Sequence, residues 1–238
     1  MTSTRSIIAP ALAALALACG ACSTAGPETP AFVETEDISV CAPGAGTFSH
    51  TLTNPYFPMS VGRQLILEGT EGGAAVVLQV TVLPDTELVG GAWTRVIEER
   101  ETVDGALLEV SRNFFVKTTG GAVCYFGEDV DIYENGAIVR HDGAWRAGAG
   151  GAVSGLFMPA APAAGMGFRQ EVAPGVAEDR VMITAVGTSV TVPAGQYDTT
   201  VRFHETTPLE PGSVSKKVYV SGIGPVVDDA VRLTSLTP

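Results

Sequence analysis

The chain has 238 residues, 45% of them hydrophobic, with a formal net charge of -12. That length and apolar fraction suffice for one large β domain with a continuous core. With 14 basic against 26 acidic residues, and Lys216-Lys217 standing alone, the composition argues against nucleic acid as a partner, because phosphate binding relies on clustered Lys and Arg.

The N-terminus carries one charge, Arg5, followed by a twelve-residue apolar run from Ile7 to Ala18. Such a run is too short to span a bilayer as a helix and reads as a secretory signal peptide over residues 1–18. It ends in Ala16-Leu17-Ala18-Cys19-Gly20-Ala21-Cys22-Ser23, and small residues just before a cysteine resemble the lipobox of bacterial lipoproteins. The resemblance implies a cysteine diacylated with chains such as palmitate, and through it a membrane anchor on a protein exported to the cell envelope. Cys19 fits best, having aliphatic or small residues at the four preceding positions. Cys22 is the alternative, since cleavage there leaves Cys41 and Cys124 as a pair with no spare thiol. An ordinary cleaved signal without lipid is the remaining reading.

Residues 19–45, rich in Pro, Thr, Ser, Ala and acidic side chains without periodicity, suit a flexible tether, and residues 46–238 a single domain. Loss of residues 1–18 removes only Arg5, so the mature part carries 13 basic and 26 acidic residues, net -13. A cationic ligand or simple solubility fits that balance. Export also favours a Cys41–Cys124 disulfide, because thiols outside the cytoplasm oxidise.

Thr51 to Gly62 alternates prolines with aromatics and reads as an ordered, extended lead-in that packs Tyr56 and Phe57 on the core. Arg63 to Glu68 follows as a strand. Ala74 to Leu83 places Val76, Leu78, Val80 and Val82 on one face at period two, the mark of a half-buried antiparallel strand. Ala92 to Glu101 and Ala106 to Thr118 flank Asp104-Gly105, a hairpin dipeptide; Leu108, Val110, Phe114 and Val116 share a face of the second. Asn135-Gly136 is the strongest hairpin signal and pairs Val130–Glu134 with Ala137–His141. Another turn falls at Asp142-Gly143.

Residues 147–167 read as a long loop, and a loop of that length is either functional or mobile. Strands resume at Phe168–Val172, Arg180–Val186 and Ser189–Val192, with a turn at Pro193-Ala194-Gly195. Tyr197–Thr206 puts Thr199, Val201, Phe203 and Glu205 on one face, with Arg202 and His204 on the other. Val214–Ser221 and Val226–Leu233 complete the series. About a dozen short strands with turns every eight to twelve residues, no amphipathic helix and no fixed-period repeat predict an all-β antiparallel sheet, curled into a barrel, half-barrel or sandwich.

Several phrases resemble a family of bacterial cell-envelope lipoproteins of unassigned activity. They are Asn54-Pro55-Tyr56-Phe57-Pro58, Tyr125-Phe126-Gly127-Glu128-Asp129, Tyr133-Glu134-Asn135-Gly136, Phe168-Arg169-Gln170-Glu171 leading to Pro174-Gly175-Val176-Ala177-Glu178-Asp179, Thr191-Val192-Pro193-Ala194-Gly195, and Glu205-Thr206-Thr207-Pro208-Leu209-Glu210-Pro211. The likeness covers roughly residues 50 to 228. It implies a secreted, mostly β, lipid-anchored domain and supplies no catalytic residues. The place of Cys124 is often tryptophan in that family, so a disulfide there would be peculiar to this chain.

Cys124 to Gly136 is the stretch densest in chemistry. Glu128, Asp129, Asp131 and Glu134 could hold a hard cation such as Ca²⁺, with His141 just across the Asn135-Gly136 turn. An EF-hand register fails at Tyr133, where an oxygen ligand belongs, and the blander expectation is a hairpin with solvated acids. His204 and His141 would suit Zn²⁺ only if the fold brought them together. Glu205, on an otherwise apolar face, needs a partner if that face is inward, with Arg112 and Arg180 as candidates. No serine elbow, cysteine–histidine pair, phosphate loop or dinucleotide fingerprint is present, so no catalytic residue is assigned. Three functions follow in order: a non-catalytic binding or carrier module holding an apolar or amphiphilic small molecule or lipid between the concave face and the 147–167 loop, a divalent-cation-binding envelope protein, and a hydrolase with dispersed carboxylates.

Overall fold

The computed structural model describes residues 31–238; the signal segment and the candidate lipid-bearing Cys19 and Cys22 lie outside the described residues. After a single 3-10 turn, Ile38–Cys41, the described chain is built from seventeen strands. The first seven are β1 (Phe48–Ser49), β2 (Gln64–Glu71), β3 (Ala74–Val89), β4 (Ala92–Val103), β5 (Ala106–Thr118), β6 (Val123–Glu134) and β7 (Ala137–Arg140). β8 (Trp145–Arg146), β9 (Gly155–Met158), β10 (Gly167–Arg169), β11 (Arg180–Val186), β12 (Val190–Val192) and β13 (Gly195–Tyr197) follow. β14 (Thr200–Thr206), β15 (Ser215–Val220), β16 (Gly224–Asp228) and β17 (Val231–Thr237) end the chain. The strands are more numerous than the expected dozen, and β3 runs for 16 residues.

Local chemistry explains the hairpins. Asp104 and Gly105 between β4 and β5, and Asn135 and Gly136 between β6 and β7, all adopt positive φ, at 49°, 79°, 53° and 79°. These are the values a two-residue connection between twisted strands demands. All ladders are antiparallel, in the order β10-β11-β14-β15-β16-β17-β2-β3-β4-β5-β6-β7, so the last strand of the chain pairs with one of the first. β1 adds to β5, β8 and β9 add to β6, and β12 with β13 forms a separate hairpin.

The sheet is curled but not closed into a barrel. The chain just before β9, which pairs with β6, meets the chain just after β10 at an isolated bridge between Val153 and Val172. There the backbones lie so close that a Cβ on Gly155 would stand 2.1 Å from the Gln170 carbonyl oxygen. A strap of N-terminal chain reinforces this seam. The amides of Thr35 and Glu36 donate to the Gly167 carbonyl at 2.8 and 3.1 Å, and Arg169 pairs with Glu34 at 2.9 Å. The 3-10 turn then carries Cys41 to its disulfide with Cys124 on β6, Cα atoms 5.5 Å apart. Ser154 donates its hydroxyl hydrogen to the Cys41 carbonyl. Residues 34–41, within the stretch read as tether, are thus packed against the domain.

The concave face is filled by its own side chains. Leu65, Leu67 and Leu233 are fully buried. Phe157 sits at the centre of an aromatic cluster, 4.7 Å from both Phe57 and Phe115 and 6.1 Å from Tyr219. This corrects the reading of residues 147–167 as a loop that would cover a ligand. Part of the stretch is β9, all four residues of which are buried, and its Phe157 occupies the space where the ligand was expected.

Candidate functional site

Strand alternation disperses the acidic stretch. Glu128 is buried on the inner side, in register with the buried Asn113 of β5. Asp129 points outward, where Arg146 grips it through Nε at 3.1 Å and Nη2 at 2.6 Å. Asp131 lies 3.4 Å from Arg112 and 3.0 Å from His141 Nδ1. Glu134, at the exposed turn, faces Arg140 at 3.6 Å. Of the five residues considered for a cation, the fold brings together Asp131 and His141, and no group of three or more such side chains placed to hold a metal occurs among the described residues. His141 Nδ1 also lies 2.7 Å from the Val130 carbonyl. His204 sits on the outer side of β14, opposite Met182 and Lys216, far along the sheet from His141. Burial, then the charge of Lys216, lowers its pKa.

Glu205 is inward, as the alternation of β14 predicted, but its partner is neither arginine. Arg112 is engaged with Glu98 and Asp131, and Arg180 lies over the Phe32 ring. The partner is Lys217, whose Nζ is 2.9 Å from Glu205 Oε1, with both side chains almost wholly buried. Gln170 Nε2 donates to the other carboxylate oxygen at 3.1 Å. Lys217 is directly opposite Asp228 on β16. Glu99 and Glu101 of β4 and Glu109 of β5 complete an interior acid layer.

Its electrostatics follow from burial. Desolvation pushes Glu99 up to about 8, and Asp228 adds to the rise while Lys217 opposes it. Asp228 likewise rises to about 8 through burial, against the pull of Lys217. Burial lifts Glu101 to about 7, helped by Glu109 and Glu71, and lifts Glu109 to about 7, helped by Glu99. Burial acts against the charge of Lys217, yet Glu205 and Asp228 outweigh it and hold its pKa well above the ordinary lysine value. At pH 7 the layer therefore holds the Lys217–Glu205 ion pair beside Glu99 and Asp228 mostly in their protonated form, with Glu101 and Glu109 near the midpoint of their titration. Glu99 and Asp228 are raised in the same direction and to the same extent, as two carboxyls buried beside one lysine are. An opening lined by Asp179, Glu205, Thr206, Thr207, Ser213 and Ser215 offers about 10 Å³, room for roughly one water molecule.

Two wider grooves lie on the outer surface. One, of about 460 Å³, is bordered by Phe48, His50, Gly90, Gly91 and Trp93, the last 59% exposed. The other, of about 360 Å³, lies between residues 144–152 and 173–176. Its walls are Ala144, Ala149, Ala152, Ala173, Pro174 and Val176, Trp145 contributes to its lining, and the Asp129–Arg146 pair forms its charged side. Arg146 also bonds Glu87 at 3.0 Å and lies 4.6 Å over the Phe114 ring, so its charge is already shared out. Trp145, Lys217, Glu99 and Asp228 were not singled out in the sequence. The run Ile97-Glu98-Glu99-Arg100-Glu101 held the signal for Glu99, because an inward Ile97 puts Glu99 and Glu101 inward too.

No protein-family model matches this chain, and no curated protein matches it significantly. Among solved structures it is similar to a candidate lipoprotein from Parabacteroides distasonis, at 13% identity and a TM-score of 0.36, over 77% of this chain and 99% of that one. A likeness at that level carries no argument about either fold or function.

Proposed function

We propose that this chain is a non-catalytic, lipid-anchored binding or carrier module of the cell envelope, bearing its lipid on Cys19, or on Cys22, and taking up an apolar or amphiphilic ligand. The observation that carries the reading is the groove of about 360 Å³ between residues 144–152 and 173–176. Its volume falls in the range of roughly 300–1,000 Å³ usual for small-molecule sites, and its apolar walls beside a few fixed polar groups match their make-up. The disulfide supports an extracytoplasmic setting, since such bonds persist where the surroundings are oxidising. The ligand position differs from the one expected from sequence: it is on the outer side of the 147–167 stretch, because Phe157 fills the inner side.

Native mass spectrometry of the chain extracted from its producing host tests both parts. The expected masses are those of a diacylated N-terminus and of a co-purifying apolar or amphiphilic small molecule that is lost when Ala152→Trp fills the groove. A chain without acyl mass, or one that carries and takes up no apolar or amphiphilic molecule, overturns the corresponding part.

A further inference from the structure

We propose that the end of the sheet carrying the β3–β4 turn rests on the bilayer, with Leu88 and Trp93 seated at the boundary between headgroups and acyl chains. The proposal rests on the lipid anchor and adds which face of the domain meets the membrane.

Leu88 and Trp93 are directly opposite across the β3–β4 hairpin, so their side chains stand on one face. They are 53% and 59% exposed, while Val89 and Ala92, one step nearer the turn, are buried. The tip that presents them is braced. The Thr94 hydroxyl donates to the Glu87 carbonyl at 2.9 Å, and Arg95 Nη1 donates to the carbonyls of Leu83, Pro84 and Asp85 at 3.1, 2.9 and 3.0 Å. A braced tip cannot fold two large apolar side chains back onto the core, so they stay in water unless something else covers them.

Further apolar side chains adjoin the tip. A Cβ on Gly90 would stand 3.2 Å from the Ala147 carbonyl oxygen, Gly148 donates to the Ala152 carbonyl at 2.9 Å, and Val153 bridges Val172. These contacts lead from the tip to Val153, which is exposed, and the Ser154 bond to the Cys41 carbonyl brings exposed Val40 to the same end. The register agrees. Arg95, Phe115 and Tyr125 align across β4, β5 and β6 at this end, whereas the Asp104-Gly105 and Asn135-Gly136 turns mark the other.

The course of the chain and its charge both point to a bilayer as the occupant. Twelve residues separate Cys19 from the first described residue, a reach of at most about 40 Å, so an acylated domain meets the membrane surface at high effective concentration. The strap that follows runs to Cys41, and Pro43, Gly44 and Gly46 then line the groove beside Trp93. The chain has 26 acidic residues, yet among the described residues lining that groove there is no Asp, Glu, Lys or Arg. An uncharged edge bearing an exposed indole suits the membrane interface, where such rings collect with one side apolar and one side wet.

The test uses the full mature chain, with its N-terminus as the producing host leaves it, in dioleoylphosphatidylcholine vesicles with and without bromine on the acyl chains, which quenches tryptophan on contact. The parent is expected to lose about half or more of its Trp93 emission to the brominated lipid, because an interfacial indole touches the acyl chains. Trp93→Phe, which keeps only buried Trp145, is expected to show almost no quenching. Leu88→Asp removes one apolar side chain from the contact and is expected to shift the domain off the membrane by about tenfold or more, with loss of most of the quenching. Val139→Asp, on a similarly exposed residue at the opposite end of β6, is expected to quench as the parent does. An N-terminal acyl mass without quenching of Trp93, or equal quenching in Leu88→Asp, overturns the contact and leaves the anchor standing. A chain without acyl mass that is still quenched loses the anchor and keeps the contact, and one that shows neither loses both. If brominated lipid does not quench while maltohexaose shifts the Trp93 emission, the face belongs to a glycan and the proposal falls.

Discussion

Replacing Glu99 with glutamine asks whether the interior acid layer is held in its protonated form. Glu99 has an ordinary pKa of 4.5 and is raised by burial to about 8. A carboxyl whose folded pKa is raised gives stability that is fully present below the unfolded value and lost as pH rises through the folded one. The window is therefore about pH 4.5 to 8. At pH 7 the separation is about 2.5 pH units, which at ~1.36 kcal/mol per unit is about 3 kcal/mol, rising to about 5 kcal/mol above pH 8. Glutamine keeps the shape and cannot ionise, so Glu99→Gln is expected to be no more stable than the parent at pH 4 and about 3 kcal/mol more stable at pH 7. With a urea slope of ~3 kcal/mol per molar, the midpoint moves up by about 1 M at pH 7. Urea titrations of the disulfide-intact chain from pH 4 to 9 read this directly. A midpoint difference that is the same at pH 4 and pH 7 would refute the reasoning, whatever its size, because a packing effect has no reason to titrate.

Lys217→Met strands Glu205 and its Gln170 hydrogen bond without a cation, and is expected to cost about 3–5 kcal/mol in chemical denaturation, with partial recovery on adding Glu205→Gln; no loss in the single variant would remove the ion pair from the core's energetics. Gly155→Ala drives a methyl to 2.1 Å from the Gln170 carbonyl at the seam and is expected to cost about 1–3 kcal/mol, with faster amide exchange at Val153 and Val172. Unchanged exchange there would mean the seam adjusts freely.

Much of the sheet was legible because strand periodicity is local. Val76, Leu78, Val80 and Val82 are all buried, the two hairpin dipeptides turn where they were expected to, and Glu205 points inward with Val201 and Phe203. The disulfide was legible from compartment and parity. What failed depended on contacts between strands distant in sequence. Lys217 stands next to Lys216 and so reads as part of a solvated pair; only the register of β15 against β14 and β16 shows that it enters the core. The acids of β6 looked like a cluster because they are close in sequence, yet period two sends Glu128 inward and Asp129 and Asp131 outward. The 147–167 stretch is rich in glycine and alanine, which hid a four-residue strand whose Phe157 fills the centre of the fold.

The N-terminal strap also sets how the domain would bear a load. A pull on the chain ahead of residue 34 first strains the Glu34–Arg169 pair and the two amide bonds to Gly167, which can give way one at a time. The force then arrives at Cys41 and passes through a covalent bond to Cys124, inside a β6 flanked by β5 on one side and β9 on the other. Residues 34–40 can thus be drawn out before the load reaches the folded sheet, and the disulfide marks where that release of chain ends.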